Sequence, residues 1–207
     1  MDIIDTIALS MGVGWASGLN LYAAILTLGY LGTTGHIALP PDLQILTDPL
    51  VLVAAGIMYC IEFFVDKTPG VDTGWDVVHT FIRIPAGAVL AAGAVGDVSQ
   101  AAEIAARGGT LAAGSHAVKA GSRVLINTTP EPFTNWAASL SEDLLVIGGL
   151  WTALHHPSVF LAGLVLFLLV SAWLLPRISW GIKRVFRSIA TFFGRRAPRD
   201  AGSPPGG

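Results

Sequence analysis

Apolar residues dominate six stretches of the chain, and glycine or polar residues interrupt most of these stretches. A bilayer core of about 30 Å requires about 20 apolar residues in a helix that rises about 1.5 Å per residue. Only 159–175 is a nearly uninterrupted apolar run. The pattern nevertheless predicts an all-α protein, a polytopic membrane helix bundle with about six transmembrane helices. We place these helices near residues 5–31, 50–65, 76–96, 104–126, 136–154 and 157–177.

The first predicted helix contains the glycine-rich stretch 12–18. This stretch is compatible either with one long tilted helix or with a broken helix. Asn20, just after it, would face either a neighbouring helix or a cavity. Asp2 and Asp5 stand where a signal peptide needs basic residues, so we expect this helix to remain in the mature protein.

The composition also favours a membrane protein. Of the 207 residues, 53% are hydrophobic and only 13% are charged, whereas soluble domains carry about 25% charged residues. The length suits a single domain. The only cysteine, Cys60, excludes an internal disulfide and a cysteine-based zinc site, and its apolar neighbours predict a buried side chain.

The charged residues are unevenly distributed along the chain. Seven of the twelve Lys and Arg residues, but only one of the fourteen acids, lie at or after Arg177. Because cytoplasmic segments of membrane proteins are enriched in Lys and Arg, we predict that this tail is cytoplasmic. Six spans then place both termini in the cytoplasm. Segments 32–49 and 97–103 would lie outside and contain no Lys or Arg, although Arg107 would lie close to the outer surface.

The tail has two parts. On a helix, residues 178–194 have one apolar and one basic face, which favours a helix lying on anionic lipid headgroups; a solvated anchor after the last span is the alternative. Residues 195–207 are rich in Pro, Gly and Ser, which predicts disorder. The predicted organisation is therefore a transmembrane bundle over 1–177, an interfacial helix over 178–194 and a disordered end over 195–207.

Two stretches of the chain, 66–75 and 127–136, resemble each other. Thr68-Pro69 aligns with Thr129-Pro130, and a Thr and a Trp match further along. Each stretch joins two predicted helices, which suggests a duplicated helical hairpin, with chance similarity as the alternative. Both turns would lie on the cytoplasmic side, and an axis along the membrane normal would relate the halves, as in some transporters.

Ionisable residues occur at similar depths inside the predicted helices. Lys119 and Arg123 lie on one helix face with His116, and Glu142 follows on the next helix. An isolated charge at this depth costs at least about 2.5–3.5 kcal/mol, so we expect cations and anions to meet in a polar core on the cytoplasmic half. The expected partners are Lys119, Arg123 and Arg83 with Glu142, Asp143 and Glu62.

The candidate binding residues of this core come from four of the predicted helices and their turns. They are Glu62, Asp66, Lys67, Asp72, Asp76, Thr80, Arg83, His116, Lys119, Arg123, Glu142 and Asp143. The other histidines considered, His79 and the pair 155–156, lack a spaced Cys or acidic partner that would indicate a metal site. We interpret these histidines as surface residues and expect no metal.

The motif 62–72 and the polar residues that follow it resemble a bacterial membrane family catalogued as domain of unknown function 4126. The further residues that carry the resemblance are Asp76, Thr80, Arg83, 85–88, His116, Lys119, Arg123 and 141–143. The resemblance covers about residues 5–177 and excludes the basic tail. It implies a small membrane protein with several spans and no established activity.

These features favour transport or permeation of a small polar or ionic solute through the polar core. Its acids could attract a cation, and its basic residues could hold an anion or a lipid phosphate. The alternative is a non-catalytic structural or assembly partner in a membrane complex, whose buried ion pairs only fix helix packing.

An enzyme is not expected, because the chain has no HExxH motif, no GxSxG motif, no P-loop and no cysteine site. We likewise expect no cofactor and no nucleic-acid partner. The expected partners are the lipid bilayer and anionic headgroups at the tail, and a homo-oligomer is compatible with the sequence. The expected location is the cell inner (plasma) membrane, with several passes.

Overall fold

The computed structural model describes residues 2–95, 98–128 and 132–194. Within these ranges the chain forms six α-helices and one 3₁₀ helix, and no β-strand. The α-helices are α1 (Ile3–Thr33), α2 (Pro49–Val65), α3 (Val71–Gly93), α4 (Val98–Ile126), α5 (Pro132–His155) and α6 (Pro157–Gly194), and the 3₁₀ helix is Pro41–Thr47. The predicted all-α fold is confirmed.

Besides an apolar core, the bundle contains buried charged side chains and exposes many large apolar ones. Arg83, Lys119 and Arg123 are almost completely buried, whereas many large apolar side chains are exposed. The exposed side chains include Leu50, Val53, Phe64, Phe81, Val89, Leu144, Leu166 and Leu169. Extended apolar surface is unusual on a soluble monomer but is expected where lipid tails surround a bundle. The fold is therefore that of a helical membrane protein.

Three helical segments are long and apolar enough to cross a membrane, judged by length and composition over the described residues. They are Ile3–Thr33, Phe133–His155 and Pro157–Arg184. A fourth candidate is the bent pair Pro41–Thr47 and Pro49–Val65, whose axes differ by 66°. Length and composition therefore support three or four spans.

Asn20 interrupts α1. Its backbone has φ −149° and ψ 99° inside an otherwise helical stretch. Its side-chain Oδ1 accepts a hydrogen bond from the backbone N–H of Ala23 at 3.0 Å, and so caps the second half of the helix. Of the two possibilities that the sequence allows for this helix, the structure shows the broken one.

The first half of α1 begins at one end of the bundle, which we call the N-terminal end. A Cβ placed on Gly12 would lie 3.3 Å from Ala153 and 3.4 Å from Phe160, near the junction of α5 and α6. A Cβ on Gly14 would lie 2.8 Å from the Cα of Gly108, in the first half of α4. The N-terminal end therefore contains the start of α1, the start of α4 and the α5–α6 turn.

The second half of α1 returns to the same end. Gly29 packs against Leu46 and Leu52, just before and within the first turn of α2. Leu43, in the same connection, packs against Gly93 at the last residue of α3. A helix continuing straight would instead carry Gly29 about 14 Å past Asn20, toward the opposite end.

Both ends of α1 thus lie at the N-terminal end, and Asn20 is the tip of a helical hairpin inside the bundle. This differs from the predicted single crossing, because an apolar pattern measures the length of a segment and not its path. Residues 8–19 of α1 are almost entirely buried and occupy the centre of the bundle.

Small residues allow α1 to approach α4 closely. Gly14 and Gly18 are spaced four residues apart on one face, a pattern typical of close helix packing in membranes. A Cβ on Gly18 would overlap Ser115 and the backbone carbonyl of Ala112 on α4. Backbone-to-backbone contact between these helices therefore depends on glycine at this position.

The tail and the predicted repeat extend partly beyond the described residues. The predicted helix over 178–194 is helical, but it continues α6 without a break. Residues 195–207 and the Thr129-Pro130 pair lie outside the described residues, so disorder of the end and superposition of the two turns stay predictions. Cys60 is exposed, which corrects the predicted burial, because it lies on the outward face of α2.

Candidate functional site

A network of ion pairs lies beside the tip of α1. Helical spacing brings its members together: residues four or seven apart, such as Lys119 and Arg123, share one helix face. We call the following seven residues the ion-paired core: Glu62 and Asp66 of the end of α2, Asp76 and Arg83 of α3, Lys119 and Arg123 of α4, and Glu142 of α5.

Arg83 joins three elements of the bundle. Its Nη2 lies 2.5 Å from Oε1 of Glu62, and its Nη1 lies 3.4 Å from Oδ1 of Asp76. The same Nη1 donates to the carbonyl oxygen of Gly18 at 3.3 Å. Arg83 therefore connects α2 and α3 to the tip of α1.

Lys119 is surrounded by oxygen atoms. Its Nζ lies 2.7 Å from Oδ2 of Asp66, 3.1 Å from Oε1 of Glu62 and 3.5 Å from Oε2 of Glu142. It also donates to the carbonyl oxygen of Leu19 at 3.1 Å. One ammonium group thus holds α1, α2 and α5 against α4.

Arg123 links the turn after α2 to α5. Its Nη2 donates to Oε2 of Glu142 at 2.7 Å and lies 3.7 Å from Oδ2 of Asp66. Its Nη1 donates to the backbone carbonyl of Asp66 at 2.7 Å and to that of Asn135 at 3.2 Å.

The break in α1 supplies acceptors to this network. The last carbonyl groups of a helix lack intrahelical donors and form the negative end of its dipole. Gly18 and Leu19 are the last residues before the break, and their carbonyls accept from Arg83 and Lys119. The tip of α1 is therefore bound by the same cations that the carboxylates bind.

Asp143 differs from the prediction that it would meet a cation. Its Oδ1 accepts from Nδ2 of Asn20 at 2.9 Å, and its Oδ2 accepts from the hydroxyl of Tyr59 at 3.0 Å. Residues adjacent on a helix lie about 100° apart, so Asp143 faces α1 and α2 while Glu142 faces the cations of α4.

Two other candidates lie at the edge of the network. Asp72 accepts from the backbone N–H groups of Gly70 and Thr73 at 2.9 and 2.6 Å, and from Nδ2 of Asn127 at 2.7 Å. It therefore satisfies backbone N–H groups at the start of α3, whose N-cap residue is Gly70.

Lys67 lies on the opposite side of the same turn. It donates to the carbonyl of Phe63 at 3.1 Å and to the hydroxyl of Ser139 at 3.2 Å, and its Nζ lies 3.0 Å from the centre of the Phe63 ring. Its ammonium group is therefore held by neutral acceptors and a ring face.

Thr80 and His116 complete the candidate set. Nδ1 of His116 lies 3.2 Å from Nη1 of Arg83, and Nε2 lies 2.8 Å from the hydroxyl of Thr80 and 3.1 Å from the carbonyl of Asp76. Because arginine only donates, Nδ1 must accept and the ring hydrogen is assigned to Nε2. His116 is thus neutral beside Arg83.

His79 is buried, which corrects its interpretation as a surface residue. Its ring stacks on Trp75 at 4.2 Å between centres, and the hydroxyl of Tyr22 lies 3.1 Å from its Nε2. The spacing could have revealed this position, because His79 falls on the same α3 stripe as Asp76 and Arg83. Tyr22 and Tyr59 were missed, since a tyrosine in an apolar run shows no sign of its partner. His155 and the adjacent His156 are exposed, as expected.

The ion-paired core is tightly closed by its own contacts but leaves several buried atoms unpartnered. Within the described ranges, Oε2 of Glu62, Oδ1 of Asp66 and Oδ2 of Asp76 have no hydrogen-bond partner. Among all the residues that the structure describes, no group of three or more His, Cys, Asp and Glu side chains is arranged to hold a metal ion. Two cavities of about 440 and 430 Å³ lie elsewhere, beside the first turns of α1 and along α5 and α6.

Residues 7–177 match a family model described as a domain of unknown function (DUF4126). Because the match covers most of the chain, the protein belongs to this family, as the resemblance in its motifs implied. Comparisons with curated proteins and with solved structures gave no match.

Proposed function

We propose that this DUF4126 protein moves a small polar or ionic solute across the membrane through the ion-paired core. The observation that carries the proposal is the meeting of buried charges from four helices with the free carbonyls of a broken helix. Intramembrane ionisable groups commonly mark ion and solute pathways. Transporters also use discontinuous helices, whose free carbonyls and helix ends form the binding site. The proposal includes no catalytic step.

The proposed topology has five crossing helices, α2 to α6, and a re-entrant α1. The N-terminus then lies outside and the basic tail lies in the cytoplasm, as expected for the plasma membrane of a cell. The distribution of charge supports this arrangement, because the chain contains no Lys or Arg before Lys67 and seven at or after Arg177. This topology replaces the prediction of two cytoplasmic termini.

The tail is proposed to lie at the lipid surface and to bind anionic headgroups. The guanidinium of Arg177 lies 3.6 Å from the ring centre of Trp173, and Trp173 and Trp180 are both exposed. Tryptophan and arginine are typical of the membrane–water interface.

The two helical hairpins α2–α3 and α4–α5 are proposed to be a duplication. Nδ2 of Asn127, which follows α4, donates to Oδ1 of Asp72 at 2.7 Å and to the hydroxyl of Thr73 at 3.0 Å. The residues that lead into and out of the two turns therefore lie at one end of the bundle, which supports a parallel repeat.

Transport is tested by reconstitution into liposomes on a solid-supported membrane. We expect rapid addition of at least one of Na⁺, K⁺, H⁺, chloride or phosphate to produce a transient current. The double variant Lys119→Met/Asp66→Asn, which removes one cation and one anion, should fold but produce no current. A wild-type signal equal to that of protein-free liposomes, or an unchanged signal in the double variant, would contradict the proposal.

A structural role in a membrane assembly is the second candidate. The closed pairs of 2.5–2.7 Å favour it, because a network can fix helix packing without any solute. In that case the neutral double variant should restore every phenotype of a deletion strain as soon as it folds.

A further inference from the structure

The ion-paired core contains more carboxylates than cations. The salt bridges connect four acids, Glu62, Asp66, Asp76 and Glu142, with three cations, Arg83, Lys119 and Arg123. In a region of low dielectric constant, an uncompensated charge is strongly disfavoured. One positive charge is therefore missing from the network.

The neighbouring charged groups form no salt bridge with the core in the described structure. Lys67 donates to neutral groups, and no carboxylate lies within salt-bridge distance of its ammonium in the described structure. His116 is neutral, because its Nδ1 accepts from Arg83. Oδ1 of Asp72 accepts from backbone N–H groups and from an amide, while its Oδ2 is buried and unpartnered within the described ranges. Both oxygens of Asp143 accept, from an amide and from a tyrosine hydroxyl. Within the described residues, neither acid forms a salt bridge with the three cations of the core.

Of the four carboxylates in the ion-paired core, Asp76 has the longest closest contact with a cation. Its Oδ1 reaches Arg83 only at 3.4 Å, while Arg83 makes its short contact of 2.5 Å with Glu62. Its Oδ2 is buried and unpartnered within the described ranges. The residue as a whole is 1% exposed, so bulk water does not solvate this oxygen.

We propose that the core binds one monovalent cation at the unpartnered carboxylate oxygen of Asp76. A proton or an alkali-metal ion would supply the missing charge. The charged and titratable groups around Asp76 are Glu62 and Asp66 of α2, Arg83 of its own helix, His116 and Lys119 of α4, and Glu142 of α5. The carbonyl oxygen of Gly18, 3.3 Å from Arg83, brings further negative potential from α1.

The Asp76 site identifies the transported solute as a monovalent cation, and this assignment rests on the proposed function. Binding itself is measured in detergent, where nothing is transported, so the two proposals fail separately. A cation that binds without giving current in liposomes would leave the Asp76 site intact and remove transport.

The alkali-ion form is tested by thermal unfolding of the purified protein. NaCl, KCl and N-methyl-D-glucamine chloride are compared at constant ionic strength. If Na⁺ or K⁺ binds, the melting temperature should rise with its concentration and not with the large organic cation. Asp76→Asn should abolish this rise, and the isosteric control Asp143→Asn should retain it.

The proton form is tested by infrared spectroscopy at neutral pH. A bound proton gives a protonated-carboxyl band that Asp76→Asn removes and Asp143→Asn retains. Asp76→Asn balances the network, so it should melt at or above the wild-type temperature, whereas Glu62→Gln should melt well below it. The proposal is overturned if the wild type shows neither the cation-dependent rise in melting temperature nor the protonated-carboxyl band, or if the response that it shows persists in Asp76→Asn. It is also overturned if Asp76→Asn is as unstable as Glu62→Gln.

Discussion

Lys119 provides the sharpest test of the ion-paired core, because its single ammonium contacts three carboxylates and a backbone carbonyl. The substitution Lys119→Met keeps the length and apolar stem of the side chain and removes only the charge and the donors. Asp66 would lose its closest cation, and the Leu19 carbonyl would lose its donor at the tip of α1.

The expected loss follows from burial. Removing one partner of a buried ion pair costs about 3–5 kcal/mol, because the other charge is left uncompensated. For a chain of this length each 1 kcal/mol lowers the melting temperature by about 2–4 °C. Lys119→Met should therefore melt about 6–20 °C below the wild type.

The matched control is the exposed pair of Arg107 and Glu103 on the same helix. Their side chains are 65% and 67% exposed, and such surface pairs contribute about 0–1 kcal/mol. Arg107→Met should therefore change the melting temperature little.

A compensating change separates charge from packing. Adding Asp66→Asn to Lys119→Met removes the carboxylate that lost its partner and restores the original net charge of the core. The double variant should recover most of the lost stability in thermal unfolding in detergent. If Lys119→Met is as stable as Arg107→Met, or if the two single changes add without recovery, Lys119 and Asp66 are not energetic partners.

Two further predictions concern helix α1. Gly18→Ala should destabilise the protein by about 1–3 kcal/mol in thermal unfolding, because the new Cβ would overlap α4. The control Gly114→Ala should have no cost, because no atom lies within 4 Å of its new Cβ. Equal effects of the two substitutions would contradict the close packing of α1 against α4. In a chain lacking Cys60, a cysteine at position 5 (Asp5→Cys) should react with an impermeant thiol reagent added outside intact cells, and one at position 203 (Ser203→Cys) should not. If the Asp5→Cys variant is expressed normally but does not react, the re-entrant topology is contradicted.

The positions of the helices could be predicted from sequence, and so could the members of the polar core. Apolar runs of about 20 residues mark segments that lipid can surround. Helical spacing places Lys119 and Arg123 on one face, and the same rule places Glu62 with Asp66 one turn on. The expected meeting of cations from α3 and α4 with Glu62 and Glu142 is what the structure shows.

The path of α1 and the choice of partners could not be predicted in the same way. Asn20 is a single polar residue in an apolar segment, and the reversal there depends on contacts with distant residues, such as Asp143 and the cations of α3 and α4. Spacing also does not tell which face of α5 meets α4. Glu142 and Asp143 are adjacent, yet in the part of the chain that the structure describes only Glu142 forms ion pairs with the cations.

The broken helix and the ion-paired core are physically connected, because two cations contact both a carboxylate of the core and a backbone carbonyl at the tip of α1. Arg83 binds both Glu62 and the Gly18 carbonyl, and Lys119 binds both Asp66 and the Leu19 carbonyl. A cation at the Asp76 carboxylate would compete with Arg83 for that group and so change the contact of Arg83 with the Gly18 carbonyl. A ligand shifts a conformational equilibrium only through its different affinity for the two states. Competition for shared partners supplies such a difference, so occupancy of the core and the position of the α1 tip should change together.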